Sequence, residues 1–188
     1  MEDIAPELIK KLQQGSIQAF EEVYQKSSSF VYTLSFRIVG NVQDAQEITQ
    51  DVFLKVYHKI KKFEFRSSFK TWLYRITTNT AINYYKLRHR DFSRRSDFET
   101  VIASHPAEED IKQQTEMAQE QQIAKEKFQE FLGRLNPDQR ACLVLREIEG
   151  LSYQEIAQTL SCNLNTVRTR LKRARQALMR FTSERIEK

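Results

Sequence analysis

Arg168, Arg170, Lys172, Arg173, Arg175 and Arg180 fall within one short stretch, and no Asp or Glu occurs between Glu155 and Glu184 to offset them. Cations at that density neutralise phosphates, and an arginine presented edge-on pairs with the two major-groove acceptors of guanine. A second basic run lies upstream. Arg66, Lys70, Arg75, Lys86, Arg88 and Arg90 are interleaved with Phe65, Phe69 and Trp72, and no acid occurs between Glu64 and Asp91. Cations among aromatic rings suit an unpaired strand, whose bases stack while its phosphates are held. Asn79 and Asn83 stand one helical turn apart in that run, with amides able to read base edges.

Other chemistry has little to stand on. His58, His89 and His105 are isolated, no carboxylates cluster for magnesium, and no glycine-rich phosphate loop occurs. Cys142 and Cys162 have neither CxxC nor Cys/His spacing, so they read as reduced thiols of an intracellular, cytoplasmic protein. The expectation is therefore no enzyme, no catalytic residue, no metal and no cofactor. No secretory leader opens the sequence and no apolar run approaches spanning length, so membrane insertion is not expected.

The elements that must position these groups are helical. Ser152 with Glu155 three residues on forms a capping box, and Ile156, Ala157 and Leu160 continue one apolar face. Ser161-Cys162-Asn163 makes a tight polar turn, after which Val167, Leu171, Ala174 and Leu178 restart the helical period. A short helix, a turn and a helix with a basic outer face is the geometry that seats in a major groove. A solvated basic helix would account for the charge alone, but not for the cap, the turn and the small Ala157 together.

The 188 residues contain only 4 Gly and 3 Pro, without alternating turn-rich runs, and carry a net charge of +5. An all-α chain of two small helical domains is expected. Pro6 opens a first helix with Leu8, Ile9 and Leu12, and Gly15 closes it. A second helix begins near Ser16 with Ala19, Phe20, Val23 and Tyr24, and a third carries Phe30, Val31, Leu34 and Ile38 before Gly40-Asn41. The fourth keeps a stripe from Ala45 through Phe53 and Tyr57 to Ile60, with an outer face acidic at its start (Asp44, Glu47, Asp51) and basic at its end. A fifth runs through Trp72, assigned to the core, to Tyr84. From Asp97 to Glu120 there are seven acids and one base, Lys112, which reads as a flexible acidic linker. The boundaries expected are 1–92 for an N-terminal helical bundle, 93–121 for the linker and 122–188 for the helix-turn-helix domain.

With these blocks in view, the sequence resembles the extracytoplasmic-function (ECF) group of sigma factors of the sigma-70 family. The resemblance rests on Gln14-Gly15-Ser16 with Ala19-Phe20, on Asp44 to Tyr57, on Phe69-Lys70-Thr71-Trp72-Leu73-Tyr74-Arg75-Ile76 with Asn79, and on Leu135-Asn136-Pro137 followed by Leu151-Ser152-Tyr153 onward. It implies a protein that binds core RNA polymerase and directs promoter-specific initiation for a stress or envelope-signal regulon. It implies that Glu47, Gln50, Asp51 and Leu54 dock on the clamp helices of the largest polymerase subunit, with further contact to the flap. It assigns minus-ten promoter DNA to Phe63, Phe65, Arg66, Ser67, Lys70, Arg75, Asn79, Asn83, Lys86 and Arg88. Minus-thirty-five DNA falls to Tyr153, Asn165, Thr166, Arg168, Thr169, Lys172 and Arg173, while Arg170 and Arg175 are left to phosphates or solvent.

The resemblance also implies an anti-sigma factor, because no acidic inhibitory segment precedes the first block. Where primary sigma factors carry a tryptophan pair for melting, this sequence has Arg75 and Ile76. The competing reading is a stand-alone helix-turn-helix regulator binding operator DNA as a dimer. That reading leaves the acidic-then-basic layout of the bundle unused, and no heptad seam for a dimer is visible.

Overall fold

The computed structural model describes residues 4–93 and 126–186, with side chains described for 4–88 and 126–183. The linker expected at 93–121, and the Arg90 side chain, lie outside these. Every regular element among the described residues is helical.

Helix α1 (Pro6–Gln13) has proline in its first turn and buries Ile9 and Leu12. Gly15, at φ 88°, lets the chain reverse into α2 (Ile17–Val39), whose N-cap Ser16 accepts from Ala19 N. The second and third helices expected from the sequence are this one helix of 23 residues. The run Ser27-Ser28-Ser29 suggests a break, but Ser27 is fully buried and its hydroxyl donates back to the Val23 carbonyl. A serine satisfied within its own helix does not compete for the backbone. Gly40, at φ 75°, ends α2 in the left-handed region, a cap that favours glycine.

Asn41 then caps α3 (Val42–Lys59), and a 3-10 turn (Ile60–Lys62) leads through a loop to α4 (Phe69–Ser93). Helices α2, α3 and α4 pack pairwise around Val31, Leu34, Ile38, Ile48, Val52 and Leu73, all fully buried. The side-chain amide of Gln13 ties α1 to this bundle by donating to the Ile60 and Phe63 carbonyls at 3.0 and 2.7 Å.

The C-terminal helices are α5, described over 126–134, α6 (Pro137–Leu143), α7 (Tyr153–Thr159) and α8 (Leu164–Ile186). The stretch Leu135-Asn136-Pro137 opens α6: Asn136 caps it by accepting from Gln139 N, and Pro137 occupies the first turn, where no N–H is needed. Helix α6 runs into a π-helical turn (Val144–Ile148), and Gly150 at φ 72° turns the chain into α7.

The two groups of helices touch, with α4 packing on α6 and α7 and α2 on α6. Arg140 lies at this junction, 2% exposed, donating to the carbonyls of Ile38 (2.6 Å), Gly133 and Leu135 (both 3.1 Å). Its guanidinium also lies 5.2 Å from the centre of the Tyr85 ring. Burial lowers its pKa, and no carboxylate pairs with it among the described residues.

Candidate nucleic-acid interface

The helix-turn-helix is assembled by two caps. Ser152 Oγ accepts from Glu155 N at 3.2 Å while Glu155 Oε2 accepts from Ser152 N at 2.7 Å, and these bonds hold the Glu155 carboxyl below its usual range. Ser161, at φ 50°, makes the turn, and Asn163 Oδ1 then accepts from both Thr166 N (2.7 Å) and Thr166 Oγ1 (2.9 Å). Ser152→Ala should destabilise the C-terminal helices by about 1 kcal/mol, a typical cost for losing an N-cap. A melting temperature unchanged from the parent chain would show that α7 does not depend on its capping box.

Along α8, Val167, Leu171, Ala174 and Phe181 face inward. Leu178, expected among them, is 36% exposed, and Phe181 takes the place. Three residues past Leu178, its ring meets Phe131 at 5.8 Å and lies under the Arg134 guanidinium. Asn165, Arg168, Thr169, Lys172 and Arg173 are exposed on the outer face, and Asn165 Oδ1 accepts from Arg168 Nη1 at 3.1 Å. Thr166 is half-buried with its hydroxyl engaged in the cap, so it shapes the helix start instead of offering a free donor.

Of the two arginines left to phosphates or solvent, Arg175 is exposed while Arg170 is half-buried, and both carry ion pairs. Arg170 pairs with Asp138 at 2.9 Å and approaches Cys162 Sγ at 3.8 Å. Arg175 pairs with Glu147 at 2.8 Å and reaches Tyr153 Oη at 3.4 Å. Tyr153 in turn lies under the Arg146 guanidinium, which fixes α7 against the π-helical turn. Cys142 is buried, and burial pushes its thiol up to about 12, which keeps it protonated and inert.

In the N-terminal bundle, the loop between Lys62 and Phe69 folds over an aromatic cluster. Phe63, expected to face nucleic acid, is 6% exposed and packs on Phe65, Trp72 and Phe69 at 4.9, 5.2 and 6.2 Å. Its ring lines the floor of the neighbouring cleft, and its carbonyl accepts from the Gln13 amide. Phe65 is the presented ring, 41% exposed, on a backbone at φ 56°. A bulky side chain in the left-handed region carries strain that the surrounding loop must support. Trp72 is half-buried, packing on the core with one edge on the cleft.

That cleft, about 300 Å³, is lined by Phe63, Trp72, Arg66, Ser67 and Arg75, and is closed on one side by Gln158 and Thr159 of α7. Arg66 pairs with Glu64 at 2.7 Å, both exposed, and Ser67 is exposed beside it. Ser68 Oγ caps α4 by accepting from Thr71 N. Beyond the cap, Lys70 is half-buried while Arg75 and Asn83 are exposed. The remaining described members of the run are occupied: Asn79 Nδ2 donates to the Thr159 carbonyl at 3.3 Å, Lys86 pairs with Asp138 at 2.7 Å, and Arg88 pairs with Asp44.

Glu47, Gln50, Asp51 and Leu54 share one exposed face of α3, with Leu54 58% exposed. Asp44 does not belong to it. It is buried near the start of α3, holding Arg88. Tyr84 Oη donates to Glu47 at 2.6 Å and accepts from Arg88 Nη1 at 3.1 Å, and burial together with the Glu47 bond pushes its phenol up to about 12. Tyr57, 51% exposed, extends the Leu54 face and was hidden in the sequence among the apolar stripe. Its spacing of three from Leu54 and seven from Gln50 was the available signal.

Among the described residues, no helix is long and apolar enough to cross a membrane, and no group of three His, Cys, Asp or Glu side chains is placed to hold a metal. The fold is that of an all-helical protein with a DNA-binding helix-turn-helix. Models of Sigma-70 region 2 and Sigma-70 region 4 match residues 23–91 and 125–178. The chain is 34% identical over 173 residues to the ECF RNA polymerase sigma factor SigE of Mycolicibacterium smegmatis, covering 91% of this chain and 64% of that relative's length. It is 34% identical over 175 residues to the RNA polymerase sigma-H factor of Pseudomonas aeruginosa, covering 92% and 90% of the two chains. Among solved structures, the sigma factor RpoE of Bartonella quintana, in complex with the anti-sigma factor NepR, superposes with a TM-score of 0.64 at 25% identity, covering 89% of this chain and 98% of that one. The chain belongs to the ECF group of the sigma-70 family, and it is a sigma factor directing transcription initiation.

Proposed function

We propose that the two modules divide promoter reading, with residues 1–92 engaging polymerase and the minus-ten element, 93–121 joining them, and 122–188 engaging the minus-thirty-five element. The observation that carries this reading is the aromatic-floored cleft at the foot of basic α4, together with the run of α8 up to Ser183, which carries bases and no acid. An extruded base stacked against Phe63 and Trp72 would have Arg66 and Arg75 beside its phosphates, with Phe65 at the loop's outer edge and Asn79 and Asn83 along the next turns of α4. That is the chemistry a melted strand needs. On α8, Arg168 held by Asn165 is poised for bidentate contact to guanine, with Lys172 and Arg173 on flanking phosphates.

Helix α3 supplies the polymerase-docking face, the clamp helices of the largest subunit being the partner, with the flap as a second contact. The chain works in the cytoplasm, with no chemistry of its own, since the polymerase forms the phosphodiester bonds. An anti-sigma factor is a further partner, as NepR is for the RpoE it was solved with.

Run-off transcription from a promoter library, with bacterial core polymerase with and without this chain, tests the reading. Arg168→Ala should weaken discrimination at one upstream base pair by about 1–3 kcal/mol, and Asn79→Ala should slow strand opening downstream. Promoter choice identical to the parent in either variant removes that residue from the reading surface.

A further inference from the structure

Along α4, Arg75, Asn79, Asn83 and Leu87 follow one another at intervals of four, which sets them in a single row on one side of the helix. The row begins at the cleft, where Arg75 is a lining residue, and continues through two amides. It ends on an apolar side chain. Leu87 is 58% exposed and is the one large exposed apolar residue among the described side chains of α4. A lone exposed leucine is ordinary on a protein surface, but its register here is not. Its immediate neighbours hold no free charge out to a phosphate, because Lys86 is paired with Asp138 and Arg88 with Asp44. That end of the row therefore offers apolar surface.

From this register we infer that Leu87 selects a thymine by packing on its C5-methyl group. The inference rests on the assignment of α4 as the minus-ten reader. Leu87 stands twelve residues beyond Arg75, about 18 Å along the helix, which equals about five nucleotides of stacked strand. A base extruded at the cleft and a base beside Leu87 are thus different bases, and the second can stay stacked in the duplex. In the major groove every base pair presents hydrogen-bond donors or acceptors, and thymine alone adds a methyl group. A leucine pairs with neither donor nor acceptor, so its contact discriminates by that methyl. Pressed on a purine edge instead, it would leave polar groups without partners. Asn83, one turn nearer the cleft, would read the adjacent base by hydrogen bonds.

The test uses the full chain bound to core polymerase and a promoter taken from the library selection. Each thymine in and beside the minus-ten element is replaced in turn by deoxyuridine, which lacks only the methyl. At one thymine the replacement should weaken promoter binding about fourfold, the loss expected when one methyl group leaves an apolar contact. Leu87→Ala should bind the thymine and uracil versions of that site equally. Ile17→Ala, which trims a side chain 78% exposed on α2, should keep the fourfold difference. Equal melting temperatures for the parent and Leu87→Ala, expected of a surface side chain, make the result a contact effect.

A methyl effect that survives Leu87→Ala overturns the proposal. So does a selection with no fixed thymine, or uniform tolerance of deoxyuridine. Arg75→Ala and Asn83→Ala decide the underlying reading separately. Weaker promoter binding in those variants, without a methyl effect that depends on Leu87, removes Leu87 alone. Unchanged promoter binding in both removes α4 as the reader, and Leu87 with it.

Discussion

Arg140→Met should lower the stability of the chain by about 3 kcal/mol or more, because each buried acceptor stripped of its donor costs about 1–3 kcal/mol. Three carbonyls lose their partner at once. Gly133 lies in the last turn of α5 and Ile38 in the last turn of α2, where backbone oxygens have no partner within the helix. One guanidinium therefore caps two helix ends, and their partial negative charge offsets part of the cost of burying it without a carboxylate. For a chain of this size the loss corresponds to a fall in melting temperature of roughly ten degrees. Arg140→Lys should recover only part of this, since a point ammonium does not reproduce the spread of the planar fork. A methionine variant melting within a degree or two of the parent would show that Arg140 is a passenger at the junction.

Arg140 also marks where sequence reasoning stops. As a string it is one more base near a proline-opened helix, and nothing local says that it will be buried against a helix end 102 residues earlier. The pairing of Asp138 with Lys86, and of Glu149 with Tyr74, is equally non-local. Local features were legible because their physics is local. The Ser152–Glu155 capping box, the proline in the first turn of α1 and α6, and the basic, acid-free run of α8 up to Ser183 each follow from spacing within a few residues. Residues with two satisfactory environments are the ones that spacing does not place. Ser27 sits between two expected helices but serves inside one, Phe63 lines the cleft as its buried floor while Phe65 is the exposed ring, and Leu178 yields its packing role to Phe181. In each case the amino-acid type permits both outcomes, and tertiary packing decides.

The polymerase-docking face should show the second large effect. Asp51→Ala combined with Leu54→Ala is expected to weaken binding to core polymerase by about 2–4 kcal/mol, the range of a central hot spot. The fold should not suffer. Leu54 is 58% exposed and Asp51 is exposed, so neither truncation opens a cavity, and surface substitutions of this kind fall within about 0.5 kcal/mol of the parent. Glu47 is the less clean target, because removing it leaves the Tyr84 hydroxyl only its longer bond to Asp44 at 3.3 Å and disturbs Arg88 through the same tyrosine. Tyr57→Ala adds the aromatic neighbour, although its ring also meets Phe20 at 5.6 Å and part of its effect would be internal. Titrating labelled variant against core polymerase gives the affinity, and duplex DNA carrying the upstream element checks that α8 still binds. Wild-type affinity for core in the double variant would move the docking surface off α3. Weakened core binding with unchanged duplex binding would tie α3 to the polymerase alone and leave promoter reading to α4 and α8.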